Sequence, residues 1–231
     1  MNKRVLFVVT SHGTKGDTGE KTGYYLSEVS HPWSVLTKAG YEIDFVSPQG
    51  GAAPVDGFDM NDPVNKRFWE DELYHYKVQN TMKPDEVHTE LYNAIFYAGG
   101  HGAMWDLPQN RQLADIAKEI YENGGLVSAV CHGPAGLLNI RLSDNSFLID
   151  GKRMTGFTNE EEKQVGMEFV VPFLLETALE EHGALYEKTQ PFHPYVIVHH
   201  RLVTGQNPQS ALKVGEALVE ELSSLEEEER V

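Results

Sequence analysis

Short runs rich in β-branched and aromatic residues recur along the chain and are separated by stretches with helical spacing. They are VLFVVT (5–10), EIDFVSP (42–48), AIFYAGG (94–100), GLVSAVCHG (125–133) and the VIV…LVTG pair (196–205). Strands spaced this way, with helices between them, predict βαβ units and a mostly parallel sheet covered on both faces. The fold class is therefore α/β.

The intervening stretches support that pattern. Leu113, Ile116, Ala117, Ile120 and Tyr121 fall on one helical face, and Asn123-Gly124-Gly125 supplies a stop. After Asn207-Pro208, Ala211, Val214, Leu218, Leu222 and Leu225 form a second apolar stripe, which predicts a closing helix. Residues 58–90 are polar, aromatic and interrupted by prolines, with helical stretches but no clear strand. They read as an insertion beside the sheet and part of a lid. No repeat or low-complexity linker divides the 231 residues, so one domain spanning 1–231 is expected.

Charge and cysteine content narrow the function. A formal charge of −16 disfavours nucleic acid and anionic membranes, which most of the surface would repel. Part of that charge lies in the tail, SSLEEEER, read as a solvated helix end. VLFVVT is too short for a signal-peptide core or a membrane span and reads as a buried first strand. With one cysteine, no intrachain disulfide can form, and a cytoplasmic setting is the expectation.

That cysteine sits in AVCHGPAG (129–136), where a strand-like run ends at Cys131 and His132-Gly133-Pro134 reads as a tight turn into a helix. Strand, nucleophile, helix is the layout of a nucleophile elbow, which holds a reactive atom above the carboxyl edge of a parallel sheet. A helix N-terminus behind the thiol would bring its pKa from about 8.5 into the roughly 3.5–7.5 range. The bland alternative is an inert buried thiol. Adjacent residues of an ordinary strand face opposite ways, so only the elbow lets Cys131 and His132 share a site. Gly99-Gly100-His101-Gly102 ends another predicted strand, and its glycines allow backbone N–H groups to converge on an oxyanion, making Gly100 and His101 candidate substrate-binding residues.

Five stretches together, TGYYLSEVSHPWSVLTKAGYEIDFVSPQGG (22–51), YAGGHGAMWDLPQN (97–110), AVCHGPAGLL (129–138), MTGFTNEEE (154–162) and LVTGQNPQSA (202–211), resemble the ThiJ/PfpI superfamily, of the class I glutamine amidotransferase-like fold. Within it, the chain is similar to the glyoxalase III-like heat-shock chaperone branch. The resemblance implies a flavodoxin-like three-layer sandwich, a reactive Cys131 and a catalytic carboxylate at Glu28. On the residues alone, Glu28 reads as an exposed acid at a helix start. The resemblance also implies an acidic partner for His132. Within FTNEEE that is Glu162 by position, with Glu160 and Glu161 as neighbours that the sequence does not separate from it.

The activity implied is that of a glutathione-independent glyoxalase, acting on a small dicarbonyl such as methylglyoxal and yielding a hydroxy acid. Alternatives from the same thiol are removal of early glycation adducts and redox sensing; a holdase-type chaperone is a separate class. A homodimer and, for the chaperone reading, unfolded client proteins are the implied partners. No cofactor is expected: there is no GxxxxGK[ST] and no GxGxxG after the first strand. No metal is expected either. HExxH is absent, and His199-His200 reads as a two-residue hairpin turn between the last two strands.

Overall fold

The computed structural model describes residues 3–228. Its elements run β1 (Arg4–Val8), β2 (Tyr24–Tyr25), α1 (Leu26–Lys38), β3 (Glu42–Val46), β4 (Val55–Asp56), α2 (Pro63–Glu70) and α3 (Glu72–Gln79). The middle of the chain supplies β5 (Ala94–Tyr97), α4 (Ala103–Asp106), α5 (Arg111–Glu122) and β6 (Leu126–Val130). It closes with β7 (Arg153–Met154), α6 (Asn159–Gln164), α7 (Leu175–Glu181), β8 (Leu185–Tyr186), β9 (Val196–Val198), β10 (Leu202–Gly205) and α8 (Ala211–Glu228).

Six of the strands form one sheet in the order β3-β1-β5-β6-β10-β9, parallel throughout except for the antiparallel β10–β9 edge. The β1 to β3 crossover through α1 runs one way along the sheet, and the β5 to β6 crossover through α5 runs the other. Right-handed crossovers in opposite directions place their helices on opposite faces, which makes three layers. Every residue of β5, β6 and β10 is buried, as strands covered on both faces require. The buried apolar side chains form one contiguous core from Val5 to Leu222.

Local signals explain the helices. Asn110 caps α5, its side chain accepting the Leu113 N–H at 2.9 Å, and the helix ends at Asn123 with Gly124 at φ +92°. The helix α8 buries the Val214, Leu218 and Leu222 stripe and lies against α1, where a side chain at Gly215 would meet Pro32. The acidic run at its end extends past Glu228, outside the described residues.

Two expectations change. Residues 58–90 do carry helices, but they pack on the outer side of the sheet edge: Phe68 stacks edge-on to Trp33 and Phe45, and Met82 bridges to Val46. Phe68 and Val78 are fully buried there, so the segment walls the core, and none of its residues lines the cleft over Cys131. The β9–β10 link is three residues long, 199–201, with His200 at φ +48°. His199 is occupied in packing, its Nδ1 accepting the Arg153 N–H at 3.0 Å. None of the helices described is long and apolar enough to cross a membrane.

Candidate active site

The strand β6 ends against Cys131, whose backbone turns to φ +59° before His132 returns to right-handed values. Such a left-handed conformation is costly for a residue with a Cβ and persists only where the surroundings hold it. Here both sides of the peptide are held: the Cys131 N–H donates to Gly205 O at 3.0 Å, and its carbonyl accepts the Phe157 N–H at 2.8 Å. The reversal brings adjacent side chains together, with Cys131 Sγ 3.3 Å from His132 Nδ1.

Two expectations about the thiol need correction. The elbow leads into a five-residue 3₁₀ turn, Gly133–Leu137, with Gly133 and Gly136 tight against Tyr97. The stabilising dipole of a long helix is therefore missing. Burial pushes the Cys131 thiol well above its usual value, and the nearby Glu28 and Glu161 carboxylates add to the shift. The resting sulfur holds its proton.

Glu28 occupies the first turn of α1 and is fully buried, so the surface-acid reading fails. One carboxyl oxygen, Oε2, accepts the Gly99 N–H at 2.7 Å. Gly99 has to be glycine, since a Cβ there would strike Glu28 Oε2, Val130 O and His132 N. The other oxygen, Oε1, is buried without a hydrogen-bond partner among the described residues. Burial raises the Glu28 pKa from 4.5 to about 8; the adjoining Cys131 thiol and the Gly99 N–H only partly offset it. At neutral pH this carboxyl is mostly protonated.

The three acids of FTNEEE have three different roles. Glu160 faces solvent. Glu161 closes a capping box with Thr158, each accepting the other's N–H at 2.9 Å, and its Oε1 also accepts the Phe192 N–H and the Asn207 side chain. Glu162, one helical step on, points to the histidines. Its Oε2 lies 2.7 Å from His132 Nε2, and its Oε1 lies 2.6 Å from His101 Nε2. Burial opposes its charge, but His132 and His101 outweigh burial and hold it at about 2. The ionised carboxylate has no proton, so both imidazoles must donate to it from Nε2.

His101, a candidate substrate contact in the sequence, joins the same hydrogen-bonded group, its ring 4.2 Å from that of His132. No spacing rule in the sequence connects GGHG to FTNEEE; only the packing of α6 beside the β5 and β6 ends does. His101, His132 and Glu162 are also the one grouping with metal-ligand chemistry among the described residues, with ligand atoms within 4.8 Å of one another. Their direct hydrogen bonds of 2.6 and 2.7 Å leave no space for a cation between carboxylate and imidazole, so the group fits a proton network better than a metal centre.

Above these residues opens a cleft of about 250 Å³. Glu28, Gly100, His101, Cys131 and His132 all line it, as do Lys15, Tyr25, Asp56, Phe157 and Phe192. Sequence reasoning missed Lys15, Tyr25 and Asp56, which no motif marks. Tyr25 and Asp56 arrive together because β2 and β4 pair Tyr25 with Asp56.

A mostly parallel α/β sheet with a strained cysteine elbow at its carboxyl edge, a histidine beside the thiol and a buried glutamic acid on the thiol defines a class of cysteine-centred α/β proteins. Comparison narrows it: residues 21–221 match the model of the DJ-1/PfpI family, and the chain belongs to that family. Glutathione-independent glyoxalase HSP31 of Saccharomyces cerevisiae is 36% identical over 227 residues, covering 90% of this chain and 93% of the yeast protein. The solved structure of Rapid Encystment Protein 24 kDa from Francisella tularensis superposes with a TM-score of 0.92 at 39% identity, over 95% of this chain and 99% of that one. That of glyoxalase III from Candida albicans gives 0.86 at 32%, over 94% and 96%.

Proposed function

We propose that this protein is a glutathione-independent glyoxalase that converts methylglyoxal to lactate, with Cys131 taking the place of a free thiol. The observation that carries the reading is Glu28: a buried carboxyl with pKa raised to about 8, one oxygen held by Gly99 and the other unpartnered, beside the only thiol in the chain. A buried unpaired oxygen is costly unless a bound molecule completes it, and a pKa near the working pH suits a group that both takes and returns a proton.

The steps rest on the geometry. His132 Nδ1, which faces the sulfur, takes the thiol proton as sulfur adds to the aldehyde carbon, and the same proton then neutralises the new alkoxide to give a hemithioacetal. Glu162 holds His132 in the tautomer this requires. Ionised Glu28 removes the proton from the former aldehyde carbon to give an enediolate; as Glu28 returns that proton to the neighbouring carbon, the hydroxyl proton on the first carbon passes to the oxygen of the second, leaving a lactoyl thioester on Cys131. The N–H groups of Gly100 and His132 donate to no protein acceptor among the described residues and are the donors for the developing oxyanion. Water then cleaves the thioester to lactate and the free thiol. A cleft of about 250 Å³ suits a substrate of a few heavy atoms.

The test is incubation with methylglyoxal in the absence of glutathione, beside Cys131→Ala and Glu28→Gln, with lactate quantified by a chiral assay. Lactate from the wild type alone is expected. Lactate from Cys131→Ala, or from no protein at all, would overturn the reading. A homodimer and the holding of unfolded clients are proposed on the family resemblance, and a cytoplasmic setting on the single cysteine; sedimentation tests the first, and aggregation assays with Cys131→Ala test the second.

A further inference from the structure

His132 is placed for the protons on sulfur: its Nδ1 lies 3.3 Å from Cys131 Sγ, its Nε2 is held by Glu162 at 2.7 Å, and its side chain is 1% exposed against 15% for His101. Glu28 is committed to the carbon proton. Hydrolysis of a thioester still needs a base for water, and that base must reach the cleft.

His101 meets the requirement. It lines the cleft and its side chain is 15% exposed. Its Nε2 donates to Glu162 Oε1, which fixes the neutral tautomer and leaves the Nδ1 lone pair open; no protein group among the described residues bonds to that atom. Burial and the neighbouring His132 hold the His101 pKa below its usual value, so the ring stays neutral and able to accept. One carboxylate thus orients two imidazoles: one facing sulfur, the other facing the cleft.

We propose that His101 is the general base of the second half-reaction, its Nδ1 removing a proton from the water that attacks the Cys131 thioester. The bond from water oxygen to the acyl carbon forms, the carbon–sulfur bond breaks, and the electron pair stays on sulfur. The proton taken by His101 is returned to the sulfur, and the acid formed gives its own proton to solvent and leaves as lactate. This rests on the glyoxalase reading but separates from it, because it concerns only the step after the thioester exists.

The experiment uses His101→Asn, which removes the ring and its basic Nδ1, with the wild type alongside and thermal unfolding to confirm the fold. Each protein is mixed with excess methylglyoxal, quenched in acid and weighed intact. His101→Asn is expected to carry the mass of one methylglyoxal on Cys131 in a form that survives acid denaturation and is removed by hydroxylamine, as a thioester is and a reversible hemithioacetal is not. Steady lactate release should fall about 10²- to 10⁴-fold and recover partly with added imidazole. The double variant Glu28→Gln/His101→Asn should carry no such adduct. Wild-type lactate release by His101→Asn, or loss of activity without the adduct, would overturn the assignment while leaving the glyoxalase reading in place. No lactate from the wild type would remove the reading and this inference with it.

Discussion

Cys131 Sγ lies 3.3 Å from Nδ1 of His132, the next residue in the chain. In an extended strand those side chains would point to opposite faces; the +59° φ of Cys131 brings them together. The strain in the elbow is therefore a condition of the chemistry, and both it and the buried acids around it have measurable consequences.

The strain itself can be read from two substitutions that both remove the sulfur. Elsewhere in a strand or helix, alanine is more stabilising than glycine. At φ +59° the alanine methyl meets the penalty of the left-handed region, so Cys131→Gly should be more stable than Cys131→Ala by about 1 kcal/mol in urea unfolding. The usual order, alanine above glycine, would mean the elbow relaxes when the thiol is removed.

Glu28 makes stability depend on pH in a defined window. Its pKa is raised on folding from 4.5 to about 8, so the folded state binds the extra proton. Its contribution is full below pH 4.5 and is lost progressively as pH rises through 8. Glu28→Gln, an uncharged mimic, should lack this loss and gain on the wild type as pH climbs across that window. Parallel stability curves for the two proteins between pH 5 and 8 would contradict the assignment.

The opposite sign applies to Glu162. Its pKa is lowered from 4.5 to about 2, so its contribution is present above pH 4.5 and disappears as pH falls towards 2. Glu162→Gln should be less stable than the wild type at neutral pH, with the gap closing on acidification. It should also slow both halves of the reaction, because the two histidines lose the carboxylate that fixes their tautomers.

Gly99→Ala tests the contact that holds Glu28. The added methyl would occupy the space of the Glu28 carboxyl, the Val130 carbonyl and the His132 amide. Overpacking of this kind costs about 1–3 kcal/mol, which a protein of this size tolerates. Lactate formation should fall much further than stability does. Activity close to wild type would show that Glu28 does not need its Gly99 anchor.

Metal removal supplies a fifth test. Because His101, His132 and Glu162 bond directly to one another at 2.6 and 2.7 Å, exhaustive treatment with a chelator should leave lactate formation unchanged. Loss of activity restored by one particular ion would reassign the trio as a metal centre.

Much of this protein is legible before folding is considered. The strand runs, the helical face from Leu113 to Tyr121 with its Asn123-Gly124-Gly125 stop, and the closing apolar stripe are local patterns of period and turn chemistry, and local patterns survive into the structure. The elbow is legible for the same reason, since strand, small residues, cysteine and turn are contiguous. Glu28 and Glu162 are legible only through resemblance; on their own residues they are ordinary acids at helix starts.

The rest depends on where distant segments meet. That 58–90 packs on the sheet edge, that Tyr25 and Asp56 line the cleft, and that His101 shares the carboxylate of His132 are facts of juxtaposition with no sequence signal. The direction of the thiol shift is of the same kind: the motif suggests a stabilised anion, whereas burial beside Glu28 pushes the proton back onto sulfur. The sequence by itself determined which elements form and which reactive groups the chain carries. The tertiary structure decided their protonation and partnership, because desolvation and hydrogen bonding depend on neighbours that the order of residues does not specify.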